Sequence, residues 1–199
     1  EFWERFAYYG MRALLAVYVA TTFFGMLPEG EARAKASLTY GAYTALIYAT
    51  GIFGGSIADR YLGYRHAIVL GGALMAAGLF LLLIPDLTWF LVGLAVIVVG
   101  NGLFKPNISA MVGQLYAPGD VRRDSGFTIF YMGINAGGAF APLVCGTLIG
   151  ARFGYQWGFF AAGLGMILGL MVFQWRRGLI GHIGAPPAPA GWPRRVLTV

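Results

Sequence analysis

The sequence predicts an all-α membrane protein with six transmembrane helices, and three observations carry that prediction. The first is composition: 58% of the 199 residues are hydrophobic and only 11% are charged, with a mean hydropathy of +0.70. A soluble domain carries about 25% charged residues, so this chain lacks the polar groups to cover itself in water. The second is a series of six apolar runs, each near the ~20 residues a helix needs to cross a hydrocarbon core. The third is the connections, which are short and, with the tail, carry most of the arginines. Thirty-one glycines suit closely packed membrane helices, where small residues let backbones approach.

The first run covers residues 1–24 and opens on "EFWERFAYYGMR". At about 100° per residue, Glu1, Glu4, Arg5, Tyr8 and Arg12 fall on one helical face, with Tyr9 at its border. The second run covers 38–58, the third 66–84, the fourth 89–116, the fifth 126–150 and the sixth 155–175. Loops are expected at 25–37, 59–65, 85–88, 117–125 and 151–154, and the tail after Arg176 reads as a linker with no packed structure. Alternate connections plus the tail hold Arg60, Arg65, Arg122, Arg123, Arg176, Arg177, Arg194 and Arg195; the others hold only Arg33, Lys35 and Arg152. The positive-inside rule places the richer set, and both ends of the chain, in the cytoplasm. A cleavable signal is not expected, because the charged stretch opens a run of full membrane length. The chain reads as a fragment of a longer protein.

Several function classes are disfavoured. The net charge of +6 comes from short arginine clusters between apolar runs, which does not suit nucleic acid. The single Cys145 cannot form an intrachain disulfide and reads as a small packing residue. His66 abuts a loop and His182 lies in the tail, neither with a metal-ligand neighbour. An intramembrane enzyme would need a nucleophile–base pair or metal ligands, so no catalytic residue and no metal is assigned.

The polar groups inside the runs need partners. Lys105, in "GNGLFKPNIS", lies deep in the fourth run, where an ammonium costs about 2.5–3.5 kcal/mol on insertion scales. It requires an anion or a water-filled cavity, and Glu1 and Glu4 are the carboxylates available in other runs. A lysine–glutamate pair that only locks two helices is the plainer alternative. In "FYMGINAGGAFAP", Tyr131 and Asn135 share a face; they suit a peptide or amide ligand and helix-to-helix hydrogen bonds equally. Tyr40 and Tyr43 read as interfacial anchors, and Tyr48 as deep enough to line a cavity. In "GGSIADRYLGYR", Asp59, Arg60 and Arg65 flank a turn at Gly63. Such groups can bond adjacent helix ends in one conformation and release them in another, or can simply anchor the loop in the cytoplasm.

"GGSIADRYLGYR" resembles the loop signature of the major facilitator superfamily. "EFWERFAYYG" resembles the ExxERFxYYG motif of the proton-dependent oligopeptide transporters, and "FYMGINAGG" their FYxxINxGS motif. "GNGLFKPNIS" is similar to the lysine-bearing fourth helix of that family. These motifs cover most of the chain in family order, with Gly138 where the family has Ser. The resemblance implies a twelve-helix fold of two six-helix bundles, of which residues 1–177 form the N-terminal bundle of two three-helix repeats. Residues 178–199 begin a cytoplasmic linker to the C-terminal half.

The resemblance further implies proton-coupled symport of di- and tripeptides across the cytoplasmic membrane, with protons as coupling ion and no other cofactor. Carried onto matching positions, Glu1, Glu4, Arg5 and Lys105 form the proton-coupling cluster. Arg5, Tyr8, Tyr9, Arg12, Tyr48, Lys105, Tyr131 and Asn135 form the substrate site, and Asp59, Arg60, Gly63 and Arg65 the gating loop. The expected partners are the peptide, protons, membrane lipid and the C-terminal half of the protein. A transporter of the same superfamily for nitrate or a drug-like solute is the alternative.

Overall fold

The computed structural model describes residues 1–185, and they form an all-helical structure. Four helical segments are long and apolar enough to cross a membrane: Glu29–Leu81, Leu87–Gln114, Arg122–Phe153 and Tyr155–Ile180. The expected linker residues 186–199 lie outside the described residues.

Helix α1 spans Phe2–Tyr18 and continues as a π-helical turn over Val19–Phe23. It carries Glu4, Arg5 and Arg12 within its apolar length. Helix α2 spans Glu29–Ile57, so the loop expected at 25–37 is shorter than its polarity suggested. Pro28 sets the entry, Glu29 and Glu31 lie in the first turn, and alanines with long-chain polar residues favour helix there. An exposed Arg33–Glu29 pair at 2.5 Å closes that turn. A second π-helical turn, Ala58–Leu62, leads to Gly63, whose φ of 70° turns the chain into α3, Gly63–Leu81. Only glycine adopts that φ without strain.

Helix α4 spans Leu87–Gln114 and is capped by Asp86, whose Oδ1 accepts from Trp89 N–H at 3.0 Å. Helix α5 spans Arg122–Ala141 and runs on through a π-helical stretch, Pro142–Gly150, and a last turn, Ala151–Phe153. Before it, Asp120 accepts from Arg122 N–H at 2.9 Å and from its guanidinium at 3.1 and 2.8 Å. Those bonds hold the Asp120 carboxyl down at about 2. Helix α6 spans Tyr155–Arg176.

In the packing, α4 lies between α2 and α3, α6 between α1 and α3, and α5 against α1. The core between α1, α3, α4 and α6 is made by Met11, Leu15, Leu79, Phe90, Phe159 and Met166, each fully buried. Cys145 is buried between α1 and α6; a Cβ at Gly10 would meet its Sγ at 2.6 Å.

The α2–α4 contact is made by backbone approach. Pro106 interrupts α4 and removes the N–H that would bond the carbonyl of Gly102. Gly54 of α2 lies directly on that carbonyl, where a Cβ would overlap it. Thr50 Oγ1 donates to Val98 O at 3.2 Å, and Asn107 Nδ2 donates to Gly54 O at 3.3 Å and Leu103 O at 2.6 Å. On the other side of α4, Gly100 meets Gly71 and Met75 of α3.

The tail is a correction. Residues 177–185 were expected to have no packed structure, but Arg177–Ile180 is a 3₁₀ turn and Ile180 and Ile183 pack on the core. Arg65 fastens them: its N–H donates to Gly184 O at 3.0 Å, its Nε to Ile183 O at 2.6 Å and its Nη2 to Gly181 O. Gly181 and Gly184 have φ of 58° and 73°, which lets the Gly181 and Ile183 carbonyls turn toward the guanidinium and the Gly184 carbonyl toward the Arg65 N–H.

The Gly54 contact predicts that Gly54→Leu in the full-length protein costs the several kcal/mol of an overpacked backbone approach. Thermal unfolding in detergent should show a lowered midpoint, whereas Gly41→Leu, with open space around its Cα, should leave it unchanged.

Candidate functional site

The site is built on the polar face of α1. Glu4 and Arg5 are 1% and 5% exposed. Arg5 Nε lies 2.6 Å from Glu4 Oε2 and 3.0 Å from Glu1 Oε1, so one guanidinium serves two carboxylates. Glu1 is reached because it lies one helical turn before Arg5. Arg5 also lies over the Tyr8 ring, 5.4 Å from its centroid. Its Nη2 and Glu1 Oε2 are buried without a hydrogen-bond partner among the described residues. Helix α5 closes on this cluster at Gly137, where a Cβ would meet Arg5 Cβ at 3.0 Å.

About two turns beyond Arg5 on α1, Arg12 donates from Nη1 to Tyr8 OH at 3.5 Å and from Nε to Tyr40 OH of α2. Its guanidinium lies over both rings, 5.8 Å from Tyr8 and 5.1 Å from Tyr40. Tyr40 is therefore a partner of Arg12, and Tyr43 is 3% exposed in the core; the interfacial-anchor reading of both is corrected. Buried tyrosines and lipid-interface tyrosines have the same local signature, and only the packing of α2 against α1 tells them apart.

Lys105 makes no ion pair with Glu1 or Glu4; among the described residues its contact is the Tyr48 ring, 5.2 Å from Nζ to the centroid. The fixed anionic partner expected for this ammonium is thus replaced by an aromatic face, which attracts a cation through its quadrupole. Tyr48 itself is 65% exposed.

Tyr9 stands against α5. A Cβ at Gly138 would lie 3.2 Å from the Tyr9 ring, so the glycine found where the family has serine gives that ring its space. Tyr131 is exposed and packs on Phe127 and Phe130 of its own helix. Asn135 is exposed. Among the described residues neither makes a hydrogen bond to the α1 cluster. Asp59 and Arg60 are exposed; Asp59 lines a small cavity of about 180 Å³ with Gly63, Tyr64, Gln114 and Gly184, beside the Arg65 contacts with the tail. Arg60 makes no ion pair among the described residues. No group of three metal-ligating residues occurs among the described residues.

Two residues were missed by sequence reasoning. Asn101 is 1% exposed and donates from Nδ2 to Glu4 Oε1 at 3.4 Å. Its signal was present: it lies four residues before Lys105 and so shares its helical face. Tyr40, in contrast, had no sequence signal beyond its residue type.

The arrangement holds two carboxylates and one guanidinium out of water, with two further cations, Arg12 and Lys105, resting on aromatic rings. A carboxylate that shares its cation can take a proton without leaving that cation unpaired. Removing Arg5 leaves both carboxylates buried and uncompensated, which costs about 3–5 kcal/mol. Arg5→Ala in the full-length protein should therefore fail to give monodisperse protein or unfold at markedly lower temperature, whereas Arg12→Ala, at the partly exposed end of the same face, should retain most of the stability.

The comparisons with known proteins agree with one another. A sequence model of the POT family matches residues 65–188. The chain is 46% identical over 179 residues to a di-/tripeptide transporter of Lactococcus lactis subsp. lactis, covering 89% of this chain and 36% of that protein. It is 44% identical over 181 residues to the peptide transporter YePEPT of Yersinia enterocolitica subsp. palearctica, covering 87% and 34%. A peptide transporter POT variant crystallised with alafosfalin superimposes with a TM-score of 0.84 at 47% identity, covering 96% of this chain and 40% of that one. The chain thus spans little more than a third of the length of these relatives, which are named as transporters. With its motifs on α1, α4 and α5 and the match from Arg65 onward, the chain belongs to the POT family of membrane transporters.

Proposed function

We propose that this chain is the N-terminal six-helix bundle of a twelve-helix major facilitator protein that carries di- and tripeptides together with protons across the cytoplasmic membrane. Residues 1–177 make the bundle, in two three-helix repeats, and residues 178–199 begin the linker to the C-terminal half. Both ends of the chain lie in the cytoplasm, on the side of the richer arginine set. Exposed faces of α2 (Tyr48, Ile52 and Phe53) and α5 (Ile129, Tyr131 and Met132) look toward the cavity and the second bundle.

The observation that carries this reading is the sharing of Arg5 between Glu1 and Glu4. While both carboxylates are charged, Arg5 is held. A proton on Glu4 weakens that hold, because a neutral carboxyl no longer attracts the guanidinium by charge. Arg5 then contributes positive field to the cavity, where Arg12 and Lys105 meet the peptide's carboxylate. Lys105 needs to leave only an aromatic ring to do so. Tyr8, Tyr9, Tyr48, Tyr131 and Asn135 line the pocket, and the peptide's amino group is met by a carboxylate of the C-terminal half. When the proton leaves to the cytoplasm, Glu4 recaptures Arg5 and the peptide is released. The loop at Asp59, Arg60, Gly63 and Arg65 serves the cytoplasmic gate.

Lys105→Ala in the full-length protein should insert normally and lose proton-driven uptake of a labelled dipeptide by at least about tenfold, the effect of one lost charge-assisted contact. Unchanged uptake would remove Lys105 from the site. Competition by excess nitrate or by unlabelled dipeptide separates the substrate classes: only the dipeptide should compete. Asp59→Asn should slow uptake with little change in peptide affinity, because Asp59 lies at the cavity beside the tail and far along the chain from the α1 cluster.

A further inference from the structure

Glu4 is the most enclosed charged side chain of the α1 cluster, at 1% exposure. Its Oε2 faces Arg5 Nε at 2.6 Å, and its Oε1 faces Asn101 Nδ2 at 3.4 Å. The other charged and titratable groups around it are Glu1 and Tyr8 on α1, Lys105 on α4 and Tyr43 on α2; α5 brings the backbone at Gly137 to Arg5, and α6 packs on α1 with glycines against Trp3 and Phe6. Arg5 can only donate hydrogen bonds, so it matches the charged carboxylate and not a carboxyl proton. A carboxamide carries both a donor and an acceptor. Asn101 can therefore donate to the carboxylate and, with its amide turned over, accept from the protonated acid.

The backbone fixes where that carboxamide points. Gly100 lies against Gly71 and Met75 of α3, and Gly102 against Thr50 of α2. A Cβ at either would stand 2.6–3.0 Å from those neighbours, so α4 cannot rotate at this level without a clash. Asn101, between them, is presented to α1.

We propose that Asn101 is a positioning residue for proton coupling, holding the Glu4 carboxyl in both its charged and its protonated state so that the proton can arrive and leave without exposing an unpaired buried group. The proposal rests on the proton-coupling reading of Glu4.

The test uses the full-length protein in proteoliposomes, with proton-driven dipeptide accumulation and dipeptide counterflow measured side by side. Asn101→Leu, which keeps the branching of the side chain and removes donor and acceptor, should lower the ratio of accumulation to counterflow about tenfold, the scale of one lost hydrogen bond to a charged group. Asn101→Ser, too short to reach Glu4, should do the same, and Asn101→Gln should restore much of the ratio. Infrared spectra supply an independent readout: the carbonyl band of the protonated Glu4, identified by its loss in Glu4→Gln, should move to higher wavenumber in Asn101→Leu. An unchanged ratio with an unmoved band would overturn the proposal. Parallel loss of accumulation and counterflow would also overturn it, since that marks a residue needed only for folding. If Glu4→Gln itself leaves accumulation intact, the proton-coupling reading fails, and the band shift then reports the Asn101–Glu4 contact alone.

Discussion

The rest of the structure is arranged around one guanidinium. Arg5 is buried at the contact of α1 with α5, and it pairs with Glu1 and Glu4 at once. Two carboxylates and one guanidinium leave a local excess of negative charge, which a low-dielectric interior does not hold cheaply. Asn101 offsets part of it by bringing a neutral donor to Glu4, while Lys105 makes no ion pair with the cluster and rests on Tyr48. A cluster with one cation too few is suited to take up a proton. The same cluster with a lysine bound directly to Glu4 would be neutral and closed.

Positioning these groups depends on small residues and on one proline. Pro106 frees the Gly102 carbonyl, and Gly54 lets α2 reach it; Gly71 and Gly100 do the same between α3 and α4. Helices that approach this closely cannot turn about their axes, so Asn101 is held toward Glu4 of α1. At the loop after α2 the same economy appears differently. Arg65 spends its donors on three carbonyls of residues 181–184, so the chain leaving α6 is fastened to the turn after α2 before it continues.

Much of this was legible in the sequence, and the reasons for the rest are physical. The shared face of Glu1, Glu4, Arg5, Tyr8 and Arg12 follows from helical spacing alone, and the helical class follows from apolar runs too long for anything else. The start of α2 was not legible as membrane-length helix, because residues 29–37 are polar and extend the helix out of the apolar run by propensity. Which tyrosine partners Arg12 depends on the rotation of α2 against α1, a tertiary quantity. The contact of Lys105 with Tyr48 has the same origin: charge alone pointed to a glutamate, and the geometry of three helices gave it a ring. Asn101 was within reach of the spacing argument that found Lys105, yet an asparagine in an apolar run does not demand a partner as loudly as a charge does. The docking of residues 177–185 was hidden by a glycine-rich composition that reads as linker, whereas those glycines supply the turns Arg65 requires.

The central claim is that the α1 cluster moves a proton with each peptide. It is tested most directly by loading proteoliposomes containing the full-length protein with a pH-sensitive dye and imposing an inward dipeptide gradient at zero initial pH difference. Dipeptide entry should acidify the lumen in the native protein, and the number of protons entering per peptide should fall to background in Glu4→Gln. Acidification per peptide that is equal in the two proteins would contradict the account.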